Sequence, residues 1–594
     1  MWHSPSLDAP DRTRAAARAA RALRRGRRLP FQGATLVDLL DLRAAEQPHD
    51  LAYVYLRDGE WEDGRWTWGE LRSRSRAVAA HLRRSVAAGD RALLLFPPCL
   101  DFIAAFFGCL EVGVIAVPVP VSRSDRDSAA MARLRAIAAD AMPAAVLTTE
   151  AIRGRWNAAT SRACGPSQHH LPRLDAPGSL RCHWIATDDE RPPGDAEGSC
   201  PRPAASHVAF LQYTSGSTAS PRGVMVSHAN LLHNLASAFL LGRDGSRGPS
   251  VSWLPVTHDM GLIEGVLQPI YRGNPAYLMS PAAFLQRPLR WVAAISRYRA
   301  VRSGGPNFAY DLTARRVPAE ARAGLDLGCW EDAYNGAEPV RHDTLAAFAS
   351  AFADCGFRSS SFMLCYGLAE STLLVSAGRW RAIGAGPVSC GRTADGTSVA
   401  IVEPETGRVC PDGRAGEIWI SGPSVAQGYW NRPDDSARVF SASTSDGSGP
   451  FLRSGDLGCM MDGELHVTGR LKDLLIVRGA KHFPQDLERT AEDAHAAVRR
   501  GCVAAVSLGA GAEGDTIGVL AEIEPRRVDD AAGIEEVAHV ISAAVCEAHG
   551  VRPGVVALLP PAALPKTTSG KLQRFLCRAH WMAGAFPVLA RTAS

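Results

Sequence analysis

Leu211-Gln212-Tyr213-Thr214-Ser215-Gly216-Ser217-Thr218-Ala219-Ser220-Pro221-Arg222-Gly223-Val224-Met225-Val226-Ser227-His228 is the stretch on which the reading of this chain turns. The apolar run from Val208 to Leu211 reads as a buried strand. Five small hydroxyl or glycine residues, Thr214 to Thr218, follow it, and Gly223-Val224-Met225-Val226 resumes a β pattern. A strand, a small-residue loop and a second strand form a cradle for an anion. Backbone N–H groups turn toward the charge and the hydroxyls add donors without bulk. Arg222 supplies a fixed positive charge beside the loop. No Gly-Lys-Ser/Thr opens a helix after it, so this is not a Walker loop. Composition alone equally describes a Ser/Gly-rich surface loop, and the surrounding chain decides between the two.

Upstream, strands and helices alternate. Leu36 to Arg43 carries apolar residues at helical spacing and stops before Pro48, Leu51 to Leu56 alternates as a strand, and Thr67 with Glu70 forms a capping box for the next helix. Arg91 to Phe96 is a buried strand, Leu100 to Leu110 an apolar helix, and Val112 to Val121 a strand interrupted by Pro118 and Pro120. A helix over Ala129 to Ala139 and a strand over Ala144 to Leu147 follow. Apolar strands separated by helices predict a parallel sheet covered on both faces, an α/β fold. Residues 153–206, rich in Pro, Gly, Ser and Arg, read as a long surface connection.

Downstream, a helix over Asn230 to Leu240 precedes Val251 to Leu262, where a strand enters a polar turn holding His258. His258 is a candidate site residue, and a turn histidine held by its own backbone reads the same way. Ser303-Gly304-Gly305-Pro306-Asn307-Phe308, Asn335-Gly336-Ala337-Glu338-Pro339 and Cys365-Tyr366-Gly367-Leu368-Ala369-Glu370 are strand-to-turn-to-helix texts of the kind found at the ligand edge of α/β sheets. From Val399 short strands and turns predict a β-rich subdomain. After Gly469-Arg470-Leu471-Lys472-Asp473 a small α/β unit begins and ends in Thr567-Thr568-Ser569-Gly570-Lys571. Apolar residues Ile263, Val266, Leu267 and Tyr271 mark a helix face that is either core or the lining of a tunnel.

The 594 residues suffice for two or more domains, and 46% hydrophobic with 21% charged content is ordinary for a globular enzyme. A net charge of +4 without interleaved aromatic and basic residues gives no support for nucleic-acid binding. Fourteen scattered cysteines without a CxxC pair point to reduced thiols and a cytoplasmic setting, and no apolar run reaches the length of a transmembrane segment. Residues 1–30 hold eight arginines and no acid between Arg12 and Arg28, and read as a basic, disordered extension outside the folded chain.

Taken in order, these phrases resemble the adenylate-forming superfamily of acyl-CoA ligases, adenylation domains and luciferases, and within it the fatty acyl-AMP ligases. The resemblance covers Leu36 to Arg574. It implies an N-terminal adenylation domain over residues 31–471 and a mobile C-terminal lid domain over 472–594. It also implies a two-step reaction: a fatty acid attacks the α-phosphate of ATP, and the acyl group then passes to the phosphopantetheine thiol of an acyl carrier protein. Under the resemblance Thr214, Ser215, Gly216, Ser217, Thr218 and Arg222 hold phosphates, and Glu370 associates with Mg²⁺. Gly336, Ala337, Glu338, Tyr366 and Gly367 frame the adenine, while Asp456 and Arg470 meet the ribose. Lys571 bridges carboxylate and phosphate, with His258 beside it, and Lys472 is the hinge. Three positions depart from the wider superfamily or the branch: Ala219 and Arg222 in the loop, and Thr257 where tyrosine is common. Ala369 agrees with the acyl-AMP branch. A further departure is that only ten residues, 379–388, stand where acyl-AMP ligases carry a longer insertion linked to poor use of coenzyme A. A fatty acyl-CoA ligase is therefore the alternative, and a non-catalytic acyl- or partner-binding relative a third reading.

Overall fold

A computed structural model describes residues 31–121, 128–162, 182–188, 202–214, 221–242, 248–381, 387–511, 514–528, 530–567 and 570–593. The basic extension and Ser215 to Ser220 lie outside the described residues.

Two sheets carry the large domain. The six-stranded sheet runs in the order His183–Ala186, Ala145–Thr148, Arg91–Leu95, Ile115–Pro118, Val208–Thr214, Arg222–Ser227. Its pairs are parallel except the last, which is antiparallel. The nine-stranded sheet has a parallel centre, Phe362–Gly367, Asp332–Asn335, Arg302–Gly305, Ser250–Ser252, Ala276–Met279 and Leu51–Arg57, with antiparallel strands at both edges. Central strands such as Arg91–Leu95 and Ile115–Pro118 are buried on both faces, which is why they read as unbroken apolar runs. One buried cluster joins Tyr53 and Ala276 of the larger sheet to Leu94 and Ala116 of the smaller through helices such as Asp101–Glu111. The loops after the parallel strands therefore share one edge of the molecule, the edge where α/β sheets bind ligands.

The helix starts are set locally. Thr67 and Glu70 form the expected capping box at Trp68–Leu82, and Ser227 with Asn230 caps His228–Leu241 in the same way. His228 opens that helix with 1% exposure, and its Nδ1 accepts the Leu36 N–H at 3.3 Å. Burial, aided by His207, lowers its pKa from 6.5 to about 4. The folded imidazole stays neutral while the unfolded one takes a proton below pH 6.5, so stability is lost as pH falls from 6.5 toward 4. At ~1.4 kcal/mol per tenfold, this one group is expected to cost about 3 kcal/mol by the acid end of that window. Urea midpoints of the wild type and His228→Gln between pH 7 and 4.5 check it. The variant should show the shallower acid loss, and equal slopes would remove His228 as the cause.

The reading of residues 153–206 as connection is corrected in part. A helix spans Glu150–Arg162, and His183–Ala186 is an edge strand paired with Ala145–Thr148. Only Ala186 of that strand is buried, so it carries no apolar run to reveal it. The helix after His258 is interrupted: Asp259–Leu262 is α, Ile263–Leu267 is π, and Gln268–Arg272 is α again. Ile263, Val266, Leu267 and Tyr271 are core residues.

The β-rich part is a four-stranded antiparallel sheet of Ser398–Val402, Gly416–Ser421, Leu452–Met461 and Glu464–Arg470. A short 3-10 turn, Leu471–Asp473, leads to the last unit. There Val498–Gly511 and Gly514–Ile523 pair antiparallel, Val555–Leu559 joins parallel, and helices Pro484–Ala494 and Ala531–His549 pack on the sheet. Helix Arg574–Met582 buries Cys577 on the other face. Ion pairs Arg341–Glu492 at 3.3 Å and Arg489–Asp343 tie this unit to the large one.

Candidate active site

A cavity of about 660 Å³ lies where the loops after the parallel strands meet the β-rich sheet and the last unit. Thr214 and Arg222 line one wall, and Ser215, Gly216, Ser217 and Thr218 lie outside the described residues. Arg222 sits over the Tyr429 ring at 5.3 Å and faces Asp435 at 3.8 Å. The Tyr429 hydroxyl donates to Glu370 Oε1 at 2.8 Å. Burial raises the Glu370 pKa against the lowering by that hydrogen bond. Tyr429 was not foreseen from sequence; its link to Glu370 is made only by folding.

Gly336, Ala337, Tyr366 and Gly367 line the next part of the cavity. Ala337 holds φ 70, a left-handed conformation that costs energy for a residue with a Cβ and recurs at ligand sites. A Cβ on Gly367 would stand 1.7 Å from the Leu373 carbonyl oxygen, so only glycine fits that close approach. Glu338 stands behind this wall, accepting the Phe308 N–H at 2.6 Å, and burial raises its pKa. The Tyr366 hydroxyl donates to Asp456 Oδ2 at 2.9 Å, and Arg470 Nε donates to Oδ1 at 3.0 Å. Asp456 and Arg470 are directly opposed across two antiparallel strands, so sheet register itself builds that pair.

His258 is the residue before the helix that begins at Asp259, with its Nδ1 3.3 Å from the Met260 nitrogen. Its Nδ1 lies 2.6 Å from Asp259 Oδ1, and the Met260 N–H also reaches that oxygen at 2.6 Å. We assign the ring proton to Nδ1, donating to the carboxylate, which leaves Nε2 as an acceptor. Burial would raise the Asp259 pKa, but His258 and Lys571 hold it below the ordinary value. Lys571 lines the cavity from the last unit. Burial lowers its pKa, opposed by Asp259 and Glu338. Its loop is seated by Gly570, at φ +85, where a Cβ would stand 3.0 Å from the Phe308 ring. Lys472 lines the same cavity from the 3-10 turn, with its pKa lowered by burial. Every described residue expected in the site lines this one cavity except Glu338, which backs it. Asp259, whose charge acts on Lys571, carries no separate signal in the sequence.

A model of the AMP-binding enzyme family matches residues 40–430, and one described as Disco-interacting protein 2-like, AMP domain, matches residues 472–591. The chain is 40% identical over 578 residues to a medium-chain-fatty-acid–[acyl-carrier-protein] ligase of Moorena producens, covering 93% of this chain and 95% of the relative. It is 36% identical to a putative fatty-acid–CoA ligase of Mycobacterium tuberculosis, covering 91% and 97%. A solved fatty acyl-adenylate ligase from L. pneumophila, in complex with acyl adenylate and pyrophosphate, superposes with a TM-score of 0.70 at 35% identity, covering 96% of this chain and 99% of that one. No helix among the described residues is long and apolar enough to cross a membrane.

Proposed function

This chain belongs to the AMP-binding enzyme family, and from that premise we propose that it activates a fatty acid as its acyl-adenylate and passes the acyl group to the phosphopantetheine thiol of a carrier protein. The observation that carries this reading is the convergence of Lys571, from the last unit, with Asp259, Glu370 and Asp456 of the large one around a single cavity.

In the first step a carboxylate oxygen bonds to the α-phosphorus of ATP, the bond to the bridging oxygen breaks, and pyrophosphate leaves with the electron pair. Two anions must meet, so the work is positioning and charge neutralisation. The Lys571 ammonium would sit between them, with Asp259 and Glu338 favouring its charged form against the burial that lowers its pKa. His258, its Nδ1 2.6 Å from Asp259 Oδ1, lines the cavity beside the reacting groups. Thr214 to Thr218 and Arg222 take the leaving phosphates. The Gly336–Glu338 backbone and Tyr366 frame the base, and Asp456 with Arg470 the ribose.

Glu370 keeps one carboxylate oxygen beyond the Tyr429 hydrogen bond. A single hard oxygen donor fits Mg²⁺, which is characteristically held by one or two carboxylates plus substrate phosphates. When bound, the ion neutralises phosphate charge. In the second step the thiol gives up its proton to solvent, its sulfur bonds to the acyl carbon, the anhydride C–O bond breaks and AMP leaves with the electron pair. Rotation of residues 472–594 about Lys472 would withdraw Lys571 and open a path for the thiol. That assigns residues 31–471 to the adenylating domain and 472–594 to the lid.

Coenzyme A is the second acceptor to weigh, because only ten residues, 379–388, occupy the place of the longer insertion and one relative is named as a CoA ligase. Incubating enzyme, ATP, Mg²⁺ and fatty acid with coenzyme A or with holo carrier protein separates the two. We expect acylated carrier at least about tenfold faster than acyl-CoA at equal thiol concentration, a preference equivalent to ~1.4 kcal/mol. Faster acyl-CoA formation would sink the carrier assignment while leaving adenylation intact.

A further inference from the structure

The acyl chain remains to be placed, and the floor of its compartment is polar. Of the helix leading away from Asp259, Met260 and Glu264 line the cavity, and residues 265–272 do not. Tyr334, Cys365, Leu373 and Leu374 complete this end. Glu264 is 7% exposed. Its Oε2 accepts Nε and Nη2 of Arg302 at 3.0 and 2.8 Å, and Arg302 Nη1 donates to Asp332 at 3.0 Å. Arg302 also lies over the Tyr334 ring at 5.3 Å. The described residues make no hydrogen bond to Glu264 Oε1, although its carboxylate borders the cavity.

The π-helical segment accounts for this placement. It spans Ile263–Leu267 and turns the apolar residues Ile263, Val266 and Leu267 into the core, leaving Glu264 on the cavity side. π segments recur at functional sites for this reason. Behind the floor the polar character continues: Gln268 is 1% exposed and neither of its amide atoms has a partner among the described residues. Glu264 follows Asp259 by only five residues along this interrupted helix, so the floor lies close below the reacting end and favours a short or medium chain over a long one.

Building on the fatty-acid adenylation proposed above, we propose that Glu264 is a specificity-determining residue whose Oε1 accepts a hydrogen bond from a hydroxyl at the far end of the acyl chain, so that the substrate is a medium-length, hydroxyl-terminated acid. A terminal methyl would desolvate that oxygen and return no hydrogen bond. An ammonium terminus would add a buried charge, because the Glu264 charge is already matched by Arg302.

The test compares 8-hydroxyoctanoate, octanoate and palmitate as substrates of the full chain, measured as acid-dependent pyrophosphate release with ATP and Mg²⁺. The hydroxylated acid should exceed octanoate in kcat/KM by about tenfold or more, the span of an unmet buried hydrogen bond, and palmitate should be slower than either. Glu264→Gln removes the charge at equal size and should shrink the hydroxyl preference several-fold, a ratio that partial misfolding does not move. A wild-type ratio of one or less, palmitate used as well as the hydroxy acid, or an unchanged ratio in the variant each overturn the assignment and reduce Glu264 to a counter-ion of Arg302. If plain acids are adenylated well, only this inference fails; if no acid stimulates pyrophosphate release, the adenylation reading fails and takes this one with it.

Discussion

Lys571→Ala should lower the rate of acyl-adenylate formation by about 10²–10³-fold, the usual cost of removing one preorganised charge-stabilising donor, while thiol acylation from pre-formed acyl-adenylate changes little. The reason is electrostatic. A carboxylate and a phosphate brought to ~4 Å repel by about 4 kcal/mol at an effective dielectric of 20, and an ammonium between them reverses the sign of that term. The surroundings of Lys571 keep it ready for this. Asp259 and Glu338 oppose the burial that lowers its pKa, and Gly570 seats its loop on Phe308. Lys571→Arg should recover little, since a planar fork does not replace a compact point charge. Because burial brings the Lys571 pKa below 10.5, adenylation should fall on the alkaline side earlier than for an ordinary lysine. Single-turnover pyrophosphate release measures the first step, and acyl transfer from synthetic adenylate the second. Equal losses in both steps would mean that Lys571 supports the fold or the thiol path instead of the first reaction.

Much of this site was readable before folding, and what escaped reading has a common cause. Strands such as Arg91–Leu95 announce themselves because both faces are buried, and the capping box at Thr67 because its two partners are three residues apart. Tyr366, Glu370, Asp456 and Lys571 sit in phrases whose glycines and order mark the ligand edge, and all four line the cavity. The strand His183–Ala186 was lost because it is an edge strand with a single buried residue. Helix Arg574–Met582 was lost because it buries little besides Cys577. The partnerships at this cavity, Tyr429 with Glu370, Asp259 with Lys571 and Glu264 with Arg302, join residues remote in sequence. A single sequence holds no signal for such partnerships. The apolar face of Ile263, Val266 and Leu267 pointed toward a tunnel or the core, and only the π segment decides that it is core.

Asp456→Ala is expected to reduce kcat/KM for ATP by about 30-fold or more, the effect of losing a buried, hydrogen-bonded charge at roughly 2–5 kcal/mol, with KM for the fatty acid nearly unchanged. Asp456 is 6% exposed and receives one donor on each oxygen, Tyr366 on Oδ2 and Arg470 on Oδ1. A carboxylate offers about four acceptor sites, so two remain, matching the two hydroxyls of a ribose. Tyr366 and Arg470 thus fix the carboxylate before the nucleotide arrives, and no reorganisation is needed on binding. Removal would also leave the buried Tyr366 hydroxyl without its acceptor, at about 1–3 kcal/mol in stability. Asp456→Asn separates the two effects. Its amide oxygen can still accept from Tyr366, so the melting temperature should recover, while the weaker acceptor beside Arg470 should leave ATP use impaired. Nucleotide affinity by calorimetry, set beside thermal melts of both variants, reads the two quantities independently. If ATP affinity tracked the melting temperature across wild type, Ala and Asn, Asp456 would be a structural brace between the sheet and Tyr366, and the ribose would have to be held elsewhere.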